Sequence, residues 1–240
     1  MNNVKVFHSD AELIKAAADT IVSIAKDAIA ERGRFVISLS GGHTPQHLYT
    51  ALSKPPYVDQ MPWKKVFVFW GDERYVPAND EQNNAKMARR TLLDHICIPA
   101  ENVFPVQTDL SPADAAKNYE ETIKRLFGNE EPRFDLILLG VGENSHTASL
   151  FPHTEVLHEH TSLVKEVFVE EVNMYRITMT VPLINTSRNI LFLVEGESKA
   201  EAVSTILNGK YEPDTYPAQL IKPVNGKLFW YLDSKAAQLL

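Results

Sequence analysis

One stretch decides the fold: Phe35-Val36-Ile37-Ser38-Leu39-Ser40-Gly41-Gly42-His43-Thr44-Pro45, an apolar run that leads directly into a glycine-rich turn. The near-continuous apolar run predicts a strand that is buried on both faces, as in a parallel sheet. The two glycines let the backbone approach an anion closely and adopt positive φ, and a helix beginning near Pro45 would present free N–H groups. The turn therefore suits a phosphate, although a tight strand-to-helix turn without a ligand fits the same pattern. It has neither the Gly-x-Gly-x-x-Gly spacing of dinucleotide sites nor the Gly-Lys-Ser/Thr of nucleotide P-loops.

Similar apolar runs recur along the chain and alternate with helical stretches. Ser9 or Asp10 is a suitable N-cap for the first helix, and Gly33 lies just beyond its end. The alternation predicts an α/β fold with a mainly parallel, Rossmann-like sheet that is covered by helices on both faces. No segment is long or polar enough to be a linker, so residues 1–240 are predicted to form one domain. The further predicted strands are 65–70, 135–139 and 189–194, and the predicted helices are 10–30, 82–95, 111–127 and 197–208.

The composition limits the classes of function. The 240 residues carry a formal net charge of −7, so there is no basic excess to attract nucleic acid or an anionic membrane. Cys97 is the only cysteine, which excludes an intramolecular disulfide, and its apolar neighbours predict that it is buried. Residues 1–7 show no signal peptide and no apolar window reaches the length of a membrane span, so we expect a cytoplasmic protein.

Two more predicted strands end in unusual loops. The loop 71–77 follows the strand 65–70; its charged residues fit an exposed turn, but the planar guanidinium of Arg74 also suits an oxyanion. The loop 140–152 follows the strand 135–139 and places His146 among small residues. A histidine can take and return a proton near neutral pH, although a packed or surface histidine is the alternative. Because ligands bind beyond the carboxyl ends of parallel strands, the three loops are predicted to converge on one site.

Other residues give weaker signals. His43 and His47 are four residues apart, a spacing that suits a metal ion on a helix, but Pro45 lies between them and no third ligand is evident. Ser149 lacks the Gly-x-Ser-x-Gly elbow of serine hydrolases. We therefore predict neither a metal site nor a serine nucleophile.

A set of short pieces, spread in order along nearly the whole chain, carries a family resemblance. These pieces are Leu39-Ser40-Gly41-Gly42-His43-Thr44-Pro45, Trp70-Gly71-Asp72-Glu73-Arg74-Tyr75-Val76-Pro77, Leu138-Leu139-Gly140-Val141-Gly142, His146-Thr147-Ala148-Ser149-Leu150-Phe151-Pro152, Tyr175-Arg176-Ile177-Thr178, Gly196-Glu197-Ser198-Lys199-Ala200, Tyr216-Pro217-Ala218 and Leu228-Phe229-Trp230-Tyr231-Leu232-Asp233. Each piece alone is only weakly specific for a family, but together they closely resemble the 6-phosphogluconolactonase family. That family is a branch of the sugar-phosphate group that includes the glucosamine-6-phosphate deaminases.

The resemblance implies a three-layer α/β/α sandwich, no cofactor, and hydrolysis of 6-phospho-D-glucono-1,5-lactone in the pentose phosphate pathway. The expected partner is thus a small sugar-phosphate lactone. If the roles of the family's residues apply to the matching positions of this chain, His146 would activate the attacking water and Arg74 would lie close to the substrate. Asp72 would be among the substrate-binding residues. The residues that would hold the 6-phosphate are Gly41, Gly42, His43, Thr44, Arg176 and Lys199.

One motif, at residues 144–146, departs from the family pattern. The family usually shows Asp-Gly-His where this chain has Asn144-Ser145-His146. The missing carboxylate would orient the imidazole and support its protonated form; Asn144 can still fix the geometry of the ring but supplies no negative charge. Ser145 restricts the backbone if this position requires positive φ. A replacement carboxylate from Glu143, reduced activity and a changed substrate all stay open.

Two rival functions also stay open. The deaminase branch shows Asp-Glu-Tyr where this chain has Asp72-Glu73-Arg74, and His-Ile-Ala-Phe-Asn-Glu where it has the residues 146–151, so both differences favour the lactonase. A sugar-phosphate sensor without catalytic activity is suggested by Asn144 in the place of the acid.

Overall fold

The computed structural model describes residues 3–240. Met1 and Asn2 lie outside the described residues, although the predictions of one domain and of no signal peptide include them. Its strands form two sheets. In chain order, the strands are β1 (Asn3–Phe7), β2 (Phe35–Leu39), β3 (Val66–Trp70), β4 (Asp72–Arg74), β5 (Leu136–Leu139), β6 (Val164–Val169), β7 (Met174–Met179), β8 (Asn189–Val194) and β9 (Lys227–Asp233).

The larger sheet is parallel throughout and has the strand order β1-β9-β8-β5-β2-β3. The four strands predicted from the sequence are its neighbouring strands β8, β5, β2 and β3, and their bounds differ from the prediction by one residue at most. The carboxyl ends of these strands therefore lie along one edge of the sheet, as the sequence predicted.

The helices connect these strands. The first helix begins after the predicted N-cap Ser9, whose side chain accepts a hydrogen bond from the Glu12 N–H at 3.3 Å, and ends at Gly33 with φ of 74°. None of the helices in the described range is long and apolar enough to cross a bilayer. In chain order, the helices are α1 (Asp10–Arg32), α2 (His43–Leu52), α3 (Tyr57–Gln60), α4 (Asn84–Thr91), α5 (Pro112–Phe127), α6 (Val181–Asn185) and α7 (Ala200–Asn208).

Two hydrophobic clusters lie on opposite faces of the parallel sheet. Along β2, Phe35 and Ile37 belong to the cluster that contains the apolar faces of α1, α2 and α4. Val36, between them in the chain, belongs to the cluster with α5, α6 and α7. Because successive side chains of a strand point to opposite faces, this division places helices on both sides of the sheet. The predicted three-layer α/β/α fold is confirmed.

A second, antiparallel sheet was not predicted. Residues 72–74, which the charged sequence presented as part of a loop, form the strand β4, and the order of this sheet is β4-β7-β6. Its register places Arg74 opposite Arg176. Asp72 is 8% exposed and Glu73 is fully buried, so the interpretation of an exposed turn is wrong.

The prediction that Cys97 is buried is also wrong, because its side chain is exposed. Cys97 follows a short 3-10 turn, Leu93–His95. Its apolar neighbours Ile96 and Ile98 pack against the cluster that contains α1, α2 and α4. The residue between them then faces outward. Apolar neighbours in the sequence therefore predict the burial of a residue only when its own side chain points to the same side of the chain as theirs.

The turn after β2 is held by a single buried side chain. The hydroxyl of Tyr49 on α2 accepts a hydrogen bond from the Ser40 N–H at 2.9 Å and donates one to the Ser40 carbonyl at 2.7 Å. Tyr49 is fully buried, so these backbone groups have little access to water. The tyrosine therefore satisfies both polar groups where the strand ends and the glycine turn begins.

Removing this hydroxyl tests that role. Tyr49→Phe should lower the free energy of unfolding by roughly 1–3 kcal/mol, since the buried Ser40 N–H and C=O lose their partner. Urea denaturation of the wild type and the variant measures the change. Tyr211→Phe, at a tyrosine that is 55% exposed, is the matched control and should change stability by less than about 0.5 kcal/mol. Equal effects of the two substitutions would contradict the account.

Candidate active site

A cavity of about 260 Å³ lies where the carboxyl ends of β2, β3 and β5 meet. The three predicted loops do converge there. His43 and Thr44 instead line an adjoining cavity of about 410 Å³, together with Gly41, Gly42 and Lys199. Asn144 lines neither cavity but contacts the ring of His146. The predicted site residues that line the 260 Å³ cavity are Gly41, Gly42, Asp72, Arg74, His146, Arg176 and Lys199.

The ring of His146 is held between a backbone segment and an aromatic ring. It stacks on Phe151 with 4.0 Å between centroids and an angle of 15° between the planes. A Cβ atom at Gly142 would lie 2.0 Å from Nδ1 of His146, so only glycine permits the observed approach. The Gly142 N–H also donates to the His146 carbonyl at 2.8 Å. The glycine of the loop thus leaves the space that the imidazole occupies.

The hydrogen bonds of Asn144 determine which nitrogen of His146 carries the proton. The amide Nδ2 of Asn144 donates to Oε2 of Glu171 at 2.7 Å, because a carboxylate can only accept. Its Oδ1 then faces Nδ1 of His146, 2.6 Å away, and must accept from it. The proton of the neutral ring therefore lies on Nδ1, and Nε2 keeps its lone pair.

The surroundings keep this ring uncharged. Burial is the largest cause that lowers the pKa of His146, and together with the positive charges of Arg176, Lys199 and Arg74 it brings this pKa to about 4, although the carboxylate of Asp72 acts in the opposite direction. A neutral imidazole with a free Nε2 is the form that a general base requires at neutral pH.

Arg74 and Arg176 form the cationic wall of the cavity. They are directly opposite on the antiparallel strands β4 and β7, where like charges repel. The Nε atoms of both are buried and have no hydrogen-bond partner among residues 3–240. One N–H group of Arg74 donates to the Gln82 carbonyl at 2.7 Å, which fixes its position. Guanidinium donors that are buried and repel each other favour an anion between or beside them.

Two buried acidic residues, Asp72 and Glu73, precede Arg74 on β4. Asp72 accepts a hydrogen bond from the hydroxyl of Ser149 at 2.6 Å. Glu73 accepts from the backbone N–H groups of Arg74, Asn84 and Ala85 at 2.7 to 2.9 Å, and its burial raises its pKa to about 7. Glu73 thereby ties β4 to the start of α4. Glu73 was not predicted as a site residue, because it stands between two charged residues and apolar periodicity gives no signal for a buried acid.

Asn84 is a second site residue that was not predicted from the sequence. Its Nδ2 donates to the Asp72 carbonyl at 3.0 Å, and it lines the cavity. A Cβ atom at Gly41 would lie 2.0 Å from its Oδ1, so the first glycine of the turn is needed for this close approach. Gly42, the N-cap of α2, has φ of 107°, which is the positive φ that the sequence predicted. No local motif marks Asn84; only the folded chain brings it to the turn.

A larger cavity of about 960 Å³ lies beside Asn144 and the β6–β7 hairpin, but its chemistry is different. It is lined by the acidic residues Glu155, Glu159, Glu166, Glu170 and Glu171, with Lys165 as a nearby cation. Such a lining disfavours a phosphate, so the smaller cationic cavity is the better candidate for an anionic ligand.

The comparisons with known proteins show the family to which the chain belongs. The family described as glucosamine-6-phosphate isomerases/6-phosphogluconolactonase matches residues 8–230. The chain belongs to this family. It is 42% identical over 232 residues to the 6-phosphogluconolactonase of Synechocystis sp., which covers 95% of this chain and 94% of the relative. The predicted family, and with it the prediction that the chain is an enzyme, is confirmed.

Solved structures give the same result. The crystal structure of the devB protein superposes with a TM-score of 0.90 at 34% identity and covers 99% of both chains. The 6-phosphogluconolactonase from Trypanosoma cruzi gives a TM-score of 0.89 at 28% identity and covers 100% of this chain and 97% of the other.

Asn144 stands where the family usually has an aspartate, and in the structure a carboxylate from another part of the chain contacts it. The carboxylate that reaches Asn144 is Glu171, which lies in the turn between β6 and β7. Glu143 is a different case, because its carboxylate lies 3.9 Å from Nζ of Lys199 and its side chain is 69% exposed. The interpretation that Glu143 replaces the family's aspartate is therefore not supported by the geometry.

Ser145 occupies a strained backbone position. Its φ is 65°, the left-handed region that favours glycine, and the residue is buried. The family's glycine at this position would have no such strain.

Ser145→Gly should therefore stabilise the protein. Relief of the strain contributes about 1–2 kcal/mol, and the greater freedom of glycine in the unfolded chain offsets about 0.5–1 kcal/mol of it, so we expect a net gain of roughly 0.5–1 kcal/mol. Urea denaturation measures the gain. Ser145→Ala is the matched control, because it removes the hydroxyl but keeps the Cβ atom and the strain. A gain of the same size for both variants would show that the backbone is not the cause.

Proposed function

We propose that this chain hydrolyses 6-phospho-D-glucono-1,5-lactone to 6-phospho-D-gluconate. The observation that carries the proposal is the single cavity in which a neutral histidine with a free Nε2 faces three cationic side chains: Arg74, Arg176 and Lys199. A phosphate ester of roughly −1.5 to −2 charge matches the cations, and a carbonyl carbon at the other end of the same ligand matches the base.

The phosphate end would position the substrate. Arg176 and Lys199 are half-buried at the cavity that the turn 41–42 also lines, so the guanidinium, the ammonium and the backbone of the turn can bind one anion together. The helix that follows Gly42 adds the partial positive charge of its N-terminus. Fixing this end orients the lactone carbonyl toward the imidazole and lowers the entropic part of the barrier.

The reaction at the other end needs one base. Nε2 of His146 would take a proton from a water molecule while the water oxygen attacks C1 of the lactone, and the carbonyl electrons would move to an oxyanion stabilised by Arg74 or by nearby N–H groups. Collapse of this intermediate breaks the bond from C1 to the ring oxygen, which receives the proton back from Nε2. General base catalysis of this kind supplies roughly 10²–10⁴-fold, and one good oxyanion donor roughly 2.7–4 kcal/mol.

Glu171 would support the charged form of the histidine. When His146 becomes an imidazolium, its Nδ1–H still donates to Oδ1 of Asn144, and the amide is polarised by the carboxylate of Glu171 on its other side. The negative charge is thus one residue further from the ring than in an Asp–His pair. Asn144 and Glu171 together would perform the orienting role, with a weaker electrostatic effect because the charge is more distant.

The cytoplasmic location was predicted from the absence of a signal peptide and of a membrane span, and the place in the oxidative pentose phosphate pathway is implied by the family resemblance; both stay predictions. The same holds for one domain over residues 1–240 and for a small-molecule partner without nucleic acid. The oligomeric state stays open.

The activity itself is tested with purified wild type and His146→Ala, after correction for spontaneous opening of the lactone. We expect His146→Ala to lower kcat by about 10²–10⁴-fold. Lys199→Ala should raise KM by about tenfold or more and change kcat less, because it removes a charge-assisted contact to the phosphate. His8→Ala, at an exposed histidine, is the matched control and should leave both constants unchanged.

Three results would contradict the proposal. Equal rates for the wild type and His146→Ala would remove this residue from the mechanism, and an unchanged KM in Lys199→Ala would remove Lys199 from the phosphate site. A wild type that releases ammonia from glucosamine-6-phosphate without accelerating lactone opening would instead identify the deaminase branch.

The role of Glu171 is tested by the pH dependence of kcat. Asn144→Asp places a carboxylate directly against Nδ1, which favours the imidazolium, so the acid limb of the profile should move to higher pH than in the wild type. Glu171→Gln should lower kcat with little change in KM. Glu170→Gln, which removes the same charge from the same exposed turn, should have no effect. If Glu170→Gln and Glu171→Gln behave alike, the effect is one of general charge and the positioning role is wrong.

A further inference from the structure

His43 and His47 lie side by side on the first turns of α2, with ring centroids 4.2 Å apart. In the sequence, the position of Pro45 between the two histidines argues against a metal site, but α2 begins at His43, so Pro45 is its third residue. The first four N–H groups of a helix have no partner within the helix, and a proline there removes no hydrogen bond. Both histidines therefore lie on one continuous helix, four residues apart and on the same face.

The structure also supplies the third donor that the sequence did not show. Glu195 directly follows β8, and one ligand atom from each of His43, His47 and Glu195 lies within 4.8 Å of the other two. Nothing in the sequence relates Glu195 to the two histidines, which precede it by about 150 residues. The parallel arrangement of β2 and β8 in one sheet brings them to the same edge.

The carboxylate of Glu195 lacks a partner for one of its oxygens. Its Oε2 is buried and has no hydrogen-bond partner in the described range 3–240. The hydroxyl of Thr44 and the carboxyl of Asp10 lie close to this carboxylate. An acceptor that is removed from water without a donor is unfavourable. A cation beside it would remove that cost.

We propose that His43, His47 and Glu195 bind a divalent transition-metal ion of the zinc class. Two imidazole nitrogens and one carboxylate oxygen are a donor set that suits zinc and its neighbours, whereas magnesium and calcium prefer oxygen ligands alone. In a tetrahedral site the ligand atoms lie about 3.2–3.6 Å apart, so the three side chains need to close by roughly 1 Å. The two histidines are exposed, and their side chains have room to do so.

The position of this site gives it a specific consequence. His43 and Glu195 line the 410 Å³ cavity that also contains Gly42 and Lys199, at the predicted phosphate-binding turn. Three protein ligands leave a fourth coordination position for water or for an anion in that cavity. The helix N-terminus disfavours a nearby cation, and the carboxylates of Glu195 and Asp10 offset this. The metal would add a positive charge beside the phosphate site without contacting His146.

The test is a metal titration that does not depend on lactonase activity. The full chain is freed of metal with a chelator and titrated with Co²⁺, whose visible absorption reports the coordination, and Zn²⁺ affinity is then measured by competition with a chromophoric chelator. The wild type should bind one ion per chain. His47→Ala and Glu195→Gln should each weaken Zn²⁺ binding by about tenfold or more.

Two controls make the outcome specific. His160→Ala and Cys97→Ser each remove an exposed potential ligand elsewhere on the surface, and both should bind Zn²⁺ as the wild type does. Circular dichroism confirms that each variant is folded. The proposal is overturned if the wild type binds no Co²⁺ under these conditions, or if His47→Ala and Glu195→Gln bind Zn²⁺ as tightly as the two controls. Because no arm measures lactone turnover, failure here leaves the proposed function untouched.

Discussion

The packing of the His146 ring against the backbone of Gly142 is the constraint on which the site depends. No side chain fits between them, because a Cβ atom would lie 2.0 Å from Nδ1. With Phe151 on the ring at 4.0 Å, water is largely removed from the imidazole, and burial becomes the main cause of its low pKa. A solvated histidine at this position would be substantially protonated near pH 6.5 and unable to accept a proton from water.

Each of the two sheets positions a different set of residues at the site. The parallel sheet brings the glycine turn and the histidine loop together, since the carboxyl ends of β2 and β5 share one edge. The antiparallel sheet brings Arg74 opposite Arg176 and thereby concentrates positive charge beside the neutral ring. The pairing of these two arginines is unfavourable by itself, and the buried acids Asp72 and Glu73 compensate for part of it. An anionic substrate would compensate for the rest.

The sequence predicted the parts of the structure that follow from local patterns. Apolar runs marked β2, β3, β5 and β8 within one residue, and Ser9 and Gly33 marked the ends of α1. It did not predict the antiparallel sheet, because the charges of β4 resemble those of an exposed turn. Glu171 and Glu195 reach their partners Asn144 and His47 only through the folded chain, across separations that no local motif can report. The buried Glu73 was missed for the same reason: its donors come from the start of α4.

The central claim is that His146 is neutral, with its proton on Nδ1, before substrate binds. Nitrogen-15 NMR of the imidazole, assigned by the loss of its signals in His146→Ala, tests this directly in the free protein. Because Oδ1 of Asn144 accepts from Nδ1, we predict the Nδ1–H tautomer, and because the pKa of His146 is about 4, we predict that less than roughly a tenth of the rings are protonated above about pH 5. A ring that titrates near its ordinary pKa of 6.5, or that carries its proton on Nε2, would contradict the account.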